Sequence, residues 1–327
     1  MNVNLIVWDN GFGLTRNLRL LGEALRACGH RVEVSAIRRG KLRKILQPRL
    51  VRARIAWRRL RGAHMQRYDV NLMLEHVRPE YFPLARHNVL MPHPEWFLGS
   101  DRAALGGVDR VFALTRHAVP IFEGLGRPVD YVGFTSEDRL DRDVPRERAF
   151  FHLAGRSQNK GTEALLALWR RHPEWPRLTV VQNPRTAKPG PAAANIDHRV
   201  DYLSDAELKR LQNAHRFHLC PSETEGFGHY LVEAMGVGAV TVTVDAPPMH
   251  EMVTPGRGAL VGVARTGTQN LATTYFFDEA SMEATVARLI GMDDAELDRI
   301  GAAARAWFEA NDREFRARIG AAVAALG

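Results

Sequence analysis

The segment 222–236, SETEGFGHYLVEAMG, places two glutamates, Glu225 and Glu233, on either side of a pair of glycines. Gly226 and Gly228 precede a helical pattern, and the bare amides of glycines at a helix N-terminus bind anions such as phosphate. Glu233 falls a turn inside this helix, where a carboxylate can accept hydrogen bonds from the two vicinal hydroxyls of a ribose. Apolar residues flank it, so burial would demand a polar partner. The combination predicts a site for a nucleotide-linked sugar.

Two further loops follow predicted strands and carry residues suited to phosphate. The loop HLAGRSQNKGT holds Arg156 and Lys160 four residues apart, and a guanidinium fork and an ammonium can bind one diphosphate together. The loop DNGFGLT places Gly11 and Gly13 just before the first predicted helix. A solvated basic turn and a tight strand-to-helix turn are the alternative interpretations of these two loops.

Strand-like and helix-like patterns alternate along the chain, beginning with NLIVW at 4–8 and RVEVSAI at 31–37. Such alternation predicts parallel, doubly wound sheets. The polar segment 137–148, EDRLDRDVPRER, interrupts the series as a linker would. We therefore expect an α/β protein with two Rossmann-like domains that face a central cleft and bind ligands at the carboxyl ends of their strands. The expected ranges are 1–140 for an acceptor-side domain, 148–305 for a nucleotide-sugar-binding domain, and 306–327 for a helix that packs back on the first domain.

The spacing Glu225-x7-Glu233 within PSETEGFGHYLVEAMGVGAVTVTVD, preceded by GRSQNKG and DNGFG, resembles the retaining nucleotide-sugar glycosyltransferases of the GT-B fold. The resemblance implies that Glu233 holds the ribose and that Glu225 lies near the donor sugar. It also implies that Arg156 and Lys160 clamp the diphosphate, and that a histidine of the N-terminal half contacts the sugar, for which His93 in LMPHPEWF is the candidate. The glycine loops of this site are then Gly226, Phe227 and Gly228, together with Gly11 and Gly13.

The mechanism that this implies needs no metal. The one D-x-D motif, 141–143, lies in the predicted linker instead of at a strand end. Charge on the departing diphosphate would then be neutralised by Arg156, Lys160 and the helix N-terminus at 226–228. By resemblance the sugar is transferred with retention, and the nucleoside diphosphate sugar is a co-substrate, with no further cofactor. An epimerase or phosphorylase that acts on related donors is the alternative within the same fold.

Positive charge is concentrated in the first third of the chain. The net charge is +8, but residues 1–100 hold 18 Lys and Arg against 7 Asp and Glu, and 38–61 holds eleven basic residues and no acid. Apolar residues recur there at helical spacing, with Pro48 near the expected helix start; they are Leu46, Leu50, Ala53, Trp57 and Leu60. The pattern predicts a basic amphipathic helix that meets an anionic acceptor through Arg52, Arg54, Arg58 and Arg59.

Three interpretations of this helix stay open. It packs on its own sheet with a solvated basic face; or it makes a peripheral membrane contact through 38–61 and brings the enzyme to a lipid-linked or envelope glycan; or its arginines grip DNA whose hydroxylated base is flipped out. The glycan acceptor is the leading choice. A function of another class, a non-catalytic module for nucleic acid or anionic surfaces, would have no reason to keep the two glutamates and the Arg156–Lys160 pair.

The sequence indicates a cytoplasmic protein, peripheral at most on the inner face of the membrane. The first apolar run stops at Asp9 without a basic start, unlike a signal peptide. The two cysteines, Cys28 and Cys220, have no metal or redox spacing, as is typical of a reducing compartment.

Overall fold

The computed structural model describes residues 1–8, 13–37, 41–62 and 65–327. These residues form two compact units, of which unit 1 comprises Met1–Thr135 with Asp312–Gly327 and unit 2 comprises Ser136–Asn311. Each unit has its own six-stranded sheet, and every strand pairing within the two sheets is parallel. This confirms the α/β class with two Rossmann-like domains.

The sheet of unit 1 has the strand order β2-β1-β3-β4-β5-β6. Helices and 3-10 turns connect the strands, as parallel pairing requires. The elements are β1 (Asn2–Trp8), α1 (Gly13–Ala27), β2 (Arg31–Ile37), α2 (Lys41–Leu60), β3 (Tyr68–Leu74), β4 (Ala85–Met91), α3 (Gly99–Ala104), β5 (Arg110–Ala113), α4 (Ala118–Glu123) and β6 (Val129–Tyr131).

A row of buried amides crosses the sheet of unit 1. Asn4 on β1 donates its Nδ2 to the Oδ1 of Asn71 on β3 at 2.9 Å, and Asn71 donates to the Oδ1 of Asn88 on β4, also at 2.9 Å. Asn71 also donates to the main-chain oxygen of Tyr81, and Ser35 on β2 donates to Asn4. The three asparagines face each other in the strand register, so a slip of one residue would leave buried amides without partners.

The last residues of the chain complete unit 1. Phe315 packs against Phe134 with the ring centroids 4.9 Å apart, and both side chains are fully buried. Asp312 accepts a hydrogen bond from the Thr135 hydroxyl at 2.9 Å, and Arg318 donates to the main-chain oxygen of Val132 at 3.0 Å. The core of unit 1 is therefore shared between segments that are far apart in sequence.

Helix α2 departs from the sequence interpretation in where it starts and in which face it buries. It begins at Lys41, so Pro48 lies inside the helix and not near its start. Among the side chains of this helix that the structure describes, Ile55 is the buried one, whereas Leu50 and Leu60 are 56% and 86% exposed. Ile55 lies five residues from each, about 140° around the helix axis. The expected apolar stripe therefore does not face the core of unit 1.

The sheet of unit 2 has the order β12-β11-β10-β7-β8-β9, and a separate antiparallel hairpin pairs β13 with β14. Phe150 stacks on Phe217 at 4.6 Å and meets Trp169 edge-on at 5.0 Å in its core. The elements are β7 (Glu147–Gly155), α5 (Thr162–Arg171), β8 (Leu178–Gln182), β9 (Ile196–Val200), α6 (Asp205–Ala214), β10 (His215–Leu219), α7 (His229–Gly236), β11 (Val240–Val244), α8 (Met249–Met252), β12 (Ala259–Val261), β13 (Val263–Gln269), β14 (Ala272–Phe277), α9 (Glu279–Gly291) and α10 (Asp294–Ala324).

The polar segment 137–148 is only partly the solvated linker that its composition suggests. Its last two residues begin β7, and Arg139 is buried at 3% exposure because it pairs with groups of unit 2. Arg305 of α10 likewise forms a two-pronged ion pair with Asp138 at 2.6 and 2.7 Å. Charged residues here make specific contacts that composition alone does not reveal.

Across the described part of the chain, no helix combines the length and the apolar character that crossing a bilayer would require.

The amide row leads to a stability prediction. Asn71→Ala should lower the free energy of unfolding by about 2–3 kcal/mol, because it removes the buried hydrogen bonds that Asn71 makes with Asn4 and Asn88. Urea unfolding followed by circular dichroism would measure the change. Asn2→Ala, an exposed position on the same strand β1, is the matched control and should change stability by less than about 0.5 kcal/mol. Equal stability of the two variants would contradict a structural role of the row.

Candidate functional site

The strand order of unit 2 reverses between β7 and β10. The chain runs from β7 through β8 to β9 on one side of the sheet, and then returns to pair β10 with the other side of β7. In open parallel sheets, ligands bind at the carboxyl ends of the strands at such a reversal. The loop 156–161 follows β7 and the loop 220–228 follows β10, so the two predicted phosphate and sugar loops leave from neighbouring strands.

Both loops end in a glycine with positive φ at the start of a helix. Gly161 precedes α5 with φ 63°, and Gly228 precedes α7 with φ 94°. A Cβ on Gly228 would lie 2.7 Å from the Leu231 side chain, so that position excludes a side chain on two counts. Gly228 is therefore the residue through which the loop after β10 enters α7.

The two loops meet in an ion pair. Lys160 Nζ lies 2.7 Å from Glu225 Oε1, and both side chains are about 15% exposed. Lys160 also lies over the ring of Tyr230, 3.1 Å from its centroid, and Ser222 donates a hydrogen bond to Glu225 and contacts the Tyr230 hydroxyl. The four side chains form one cluster, which we call the Lys160 cluster.

Burial sets the protonation of the neutral groups beside this ion pair. It raises the pKa of Tyr230, with smaller contributions from Cys220 and Glu225, so the phenol keeps its proton. Burial raises the pKa of the Cys220 thiol as well. The cluster therefore presents one ammonium and one carboxylate among neutral groups, a mixture that can bind a phosphate and a sugar hydroxyl side by side.

Glu233 lies on α7 and is 1% exposed. Its Oε2 accepts a hydrogen bond from Gln212 Nε2 on α6 at 2.8 Å. Gln212 in turn accepts from Arg139, whose guanidinium donates to Asp205 at 2.9 Å. The buried carboxylate thus has the polar partner that its burial demands, and a chain of hydrogen bonds continues from it to the surface of unit 2.

The other predicted residues of unit 2 surround this centre. Arg156 is exposed in the loop after β7, and Phe227 is 5% exposed between the two glycines. The ring of His229, the first residue of α7, meets Phe227 edge-on at 5.3 Å and lies 2.8 Å from the Ser136 hydroxyl through its Nδ1. His229 is a polar group at the helix mouth that the sequence interpretation did not include.

A hairpin supports both loops from one side. Tyr275 N, on β14, donates to Glu223 O at 2.7 Å, and the Asn159 side chain donates to Gln269 on β13 at 2.6 Å. Glu223 N donates to Asn159 O at 2.9 Å, which joins the loops directly. Lys160 and Glu225, which follow these anchors in sequence, are therefore held by main-chain contacts as well as by their own ion pair.

The predicted residues of unit 1 lie on other elements. His93 follows β4, and its Nδ1 is 3.8 Å from Glu75 Oε1 at the end of β3. Gly11 falls outside the described residues, and Gly13 is the first residue of α1. The arginines Arg52, Arg54, Arg58 and Arg59 all lie on α2, and three of them are exposed while Arg58 is half-buried.

Several site residues were missed because their signal is not local. Gln212 and Arg139 reach Glu233 from segments 21 and 94 positions away, so no spacing rule finds them. Ser222 and Tyr230 lie inside the motif itself. The position of Ser222 shortly after the end of strand β10 was the sequence feature that could have indicated it. Glu75 directly follows the apolar strand VNLML, which is the same kind of strand-end position.

Residues 193–304 match the model of the family described as glycosyl transferases group 1. The match lies within unit 2 and includes Gln212, Glu225 and Glu233. No curated protein sequence matches the chain.

Solved structures resemble the chain over nearly its full length. Sucrose-phosphate synthase from Thermosynechococcus elongatus has a TM-score of 0.70 at 17% identity, and the match covers 100% of this chain and 99% of that one. HepE of Anabaena, in complex with UDP-glucose, has a TM-score of 0.68 at 16% identity, with 99% of each chain covered. The lipopolysaccharide outer core galactosyltransferase WaaB has a TM-score of 0.65 at 13% identity, covering 98% of this chain and 99% of that one. The likeness to these structures confirms the GT-B fold, and the family match over residues 193–304 agrees with the expected resemblance to glycosyltransferases.

The geometry of His152 predicts how unit 2 responds to acid. Its Nδ1 lies 2.7 Å from Leu219 O at the end of β10 and its Nε2 lies 2.9 Å from the Thr162 hydroxyl at the start of α5. Burial, with smaller contributions from Lys160 and His198, lowers the pKa of His152 from 6.5 to about 4. The unfolded chain therefore binds this proton first, so stability should fall as the pH drops from 6.5 towards 4.

His152→Gln should remove this part of the pH dependence. Between pH 7.5 and 5, its free energy of unfolding should change by about 2 kcal/mol less than that of the wild type. Urea unfolding at the two pH values measures the difference. An unchanged pH dependence would show that His152 does not carry the effect.

Proposed function

We propose that this chain is a metal-independent, retaining glycosyltransferase that moves a sugar from a nucleoside diphosphate sugar to a hydroxyl of an anionic acceptor, lipid-linked or in an envelope glycan. The observation that carries the proposal is the Lys160–Glu225 pair, 2.7 Å apart between the loops that follow β7 and β10. It stands where the strand order reverses, which is where open parallel sheets bind ligands.

The phosphate groups of the donor would contact the cationic side chains of Lys160 and Arg156 and the N-terminus of α7. Lys160 is paired with Glu225, and Arg156 is exposed on the same loop. The first amides of α7 follow Gly228 and add the favourable end of the helix dipole. These donors are fixed before the donor sugar arrives, so they can stabilise the negative charge that develops as the diphosphate departs. Departure and attack on the same face give retention.

Glu225 and Glu233 would contact the two sugar parts of the donor, the transferred sugar and the ribose. Glu225 Oε1 is held by Lys160 and Ser222, and the carboxylate would lie beside the sugar that becomes electron-poor. Glu233 would hold the ribose hydroxyls, for which the carboxylate must exchange part of its contact with Gln212. A charged acceptor whose partner is a neutral amide can make this exchange at lower cost than one in an ion pair.

The acceptor is proposed from α2. Four apolar side chains of this helix, Leu46, Leu50, Trp57 and Leu60, are each at least 49% exposed among its arginines. Beside them lies a cavity of about 830 Å³ whose lining includes Ile55, Tyr68 and Tyr81. Exposed apolar groups among cations favour a membrane interface with anionic lipids over a nucleic acid, whose phosphates require cations alone. A lipid-linked glycan at the inner membrane face is therefore the preferred acceptor, with a hydroxylated base of DNA as the alternative.

The solved neighbours agree in kind with this donor and acceptor. HepE was solved with UDP-glucose, and WaaB is described as a galactosyltransferase of the lipopolysaccharide outer core. At 13–17% identity these likenesses show a shared fold alone. The donor and the acceptor of this chain are our proposal.

The donor half is tested by ligand binding and turnover. A thermal-shift screen of UDP-, GDP-, ADP- and dTDP-sugars should identify one donor that raises the Tm, since a ligand stabilises by its occupancy. With that donor, Glu233→Ala should cost about 2–3 kcal/mol in kcat/KM, and Lys160→Ala should slow transfer by about 100-fold or more. EDTA should leave the rate unchanged.

Lys188→Ala is the matched control for Lys160. Lys188 pairs with Glu163 at 2.8 Å in the same unit, but the pair is more than 60% exposed; its loss should leave turnover within about twofold, because exposed ion pairs contribute little. Wild-type kinetics in Glu233→Ala, a strict need for Mg²⁺ or Mn²⁺, or no stabilisation by any nucleotide sugar would each contradict the proposal. The last result would favour the non-catalytic binding module.

The acceptor half is tested on α2. Replacing Arg52, Arg54, Arg58 and Arg59 with glutamate should abolish co-sedimentation with vesicles that contain phosphatidylglycerol and leave donor binding intact. The matched control reverses four exposed arginines elsewhere in unit 1 and should retain vesicle binding. These are Arg26, Arg31, Arg86 and Arg102.

Salt-dependent gel shifts on duplex DNA complete this test. Binding to DNA but not to vesicles would replace the lipid-linked acceptor with DNA. Binding to neither vesicles nor DNA at low salt would show that the arginines of α2 are solvated and bind no anionic surface.

A further inference from the structure

Helix α2 carries an apolar stripe that does not pack into the core of unit 1. Leu46, Leu50 and Trp57 lie within about 40° of one another around the helix axis, and their side chains are 49–56% exposed. Single exposed apolar side chains are common on protein surfaces, but a contiguous group of them marks a binding surface. The stripe is therefore a feature that requires a ligand or a partner.

The stripe lines one cavity of about 830 Å³, which we call the α2 cavity. Val34 of the edge strand β2 lines it as well at 45% exposure, so that four of the nine large apolar side chains exposed in the described residues meet here. Ile55 and Tyr81, which are buried, also belong to the lining. An apolar lining that includes both exposed and buried side chains suits a hydrocarbon chain that enters from solvent.

Two arginines of α2 line the same cavity. Arg54 and Arg58 follow Leu50 in steps of four residues, each about 40° around the axis, so they lie beside the apolar stripe. Neither forms an ion pair with the described part of the chain, whereas Arg67, a third cation of the lining, is paired with Glu33 at 3.3 Å. Cations without a carboxylate partner beside an apolar cavity complement a ligand that has an anionic head and an apolar tail.

A second cavity flanks the other side of α2 and has a different lining. It measures about 670 Å³, and Arg52 and Arg59 line it together with the buried Glu80. A carboxylate in the lining disfavours an anionic head at that site. The two cavities therefore divide the arginines of one helix into a pair that faces a ligand and a pair that serves for comparison.

We propose that the α2 cavity binds the hydrocarbon chain of a lipid phosphate, and that Arg54 and Arg58 hold its phosphate group. The guanidinium fork matches the geometry of phosphate oxygens, and insertion of the chain removes the apolar stripe of α2 from water. The identification of this lipid as the carrier of the acceptor glycan rests on the proposed function, whereas its binding does not. The proposal gives α2 a specific pocket for one lipid molecule, in addition to contact with a membrane surface.

Alkyl phosphates below their critical micelle concentration test the cavity without a membrane. Decyl phosphate should bind in isothermal titration calorimetry, and each CH₂ added between octyl and dodecyl phosphate should tighten binding by about three- to fourfold. Inorganic phosphate should not bind detectably at the same concentrations. Decyl maltoside, which has the same chain and a neutral head, should bind more weakly by about tenfold or more.

Trp57 reports whether the chain enters this cavity. Decyl phosphate should shift the tryptophan emission of the wild type to shorter wavelength, because Trp57 is 54% exposed before the probe covers it. Trp57→Phe should bind the probe without this shift. A shift that persists in Trp57→Phe would place the probe elsewhere and overturn the proposal.

A larger side chain in the cavity should block binding. Val34→Trp should weaken the binding of decyl phosphate by about tenfold or more, and its Tm should stay close to that of the wild type because position 34 is exposed. Val263→Trp is the matched control, since it makes the same change at a 36% exposed position of β13 in unit 2. It should bind as the wild type does, and equal binding by both variants would contradict the proposal.

The two arginine pairs separate a specific site from general positive charge. Arg54→Gln combined with Arg58→Gln should weaken decyl phosphate by about tenfold or more and leave decyl maltoside unchanged. Arg52→Gln combined with Arg59→Gln removes the same charge from the same helix and should weaken decyl phosphate by less than about twofold. Equal losses in the two double variants would assign the binding to general charge and overturn the proposal.

Further outcomes distinguish this proposal from the proposed function. A wild-type protein that transfers sugar but binds no alkyl phosphate, or whose affinity does not depend on chain length, would overturn the lipid site alone. A wild-type protein that binds decyl phosphate as described but uses no nucleotide sugar would contradict the proposed function and leave the lipid site in place.

Discussion

The parallel pairing of β7 with β10 is the constraint on which the site of unit 2 depends. Two strands that are 60 residues apart in sequence end side by side, and each releases a loop that closes with a glycine of positive φ. The two loops therefore lie next to each other, and Lys160 and Glu225 form an ion pair where the loops meet. Replacing either residue leaves the meeting point in place, whereas a change in strand order would abolish it.

Charges in this site are balanced in two different ways. Lys160 and Glu225 form an ion pair that is supported by Ser222 and by the face of the Tyr230 ring, and it remains partly accessible. Glu233 is sealed from water and is held by the neutral amide of Gln212. An accessible ion pair can rearrange around an arriving anion, and a carboxylate bound to an amide can exchange one neutral partner for another. Under the proposed function, both arrangements would allow the site to accept a ligand by exchanging existing contacts for new ones.

The fold and the principal motif are predictable because their signals are local. Alternating strand and helix patterns indicate the parallel sheets, and the glycines before α7 indicate the N-terminus of that helix. The partners of Glu233 are not predictable in this way, since Arg139 reaches it through Gln212 from a segment whose composition resembles a linker. The start of α2 was misplaced because a proline usually marks the beginning of a helix, whereas the basic residues before Pro48 are helical as well. The positive φ of Glu75, 69°, could not be inferred from the sequence. It accompanies a hydrogen bond from the Glu75 amide to Met91 O on the neighbouring strand β4.

The division of unit 1 into two segments has a consequence for the order in which the protein folds during synthesis. Unit 2 is one continuous segment, so all its partners have been made once residue 311 has left the ribosome. Unit 1 starts first but lacks Phe315, the fully buried partner of Phe134, until the last segment follows. Loop closure over such a separation is slow relative to local contacts. The half of the protein that is translated first is therefore completed last, and Phe134 lacks its buried partner until then.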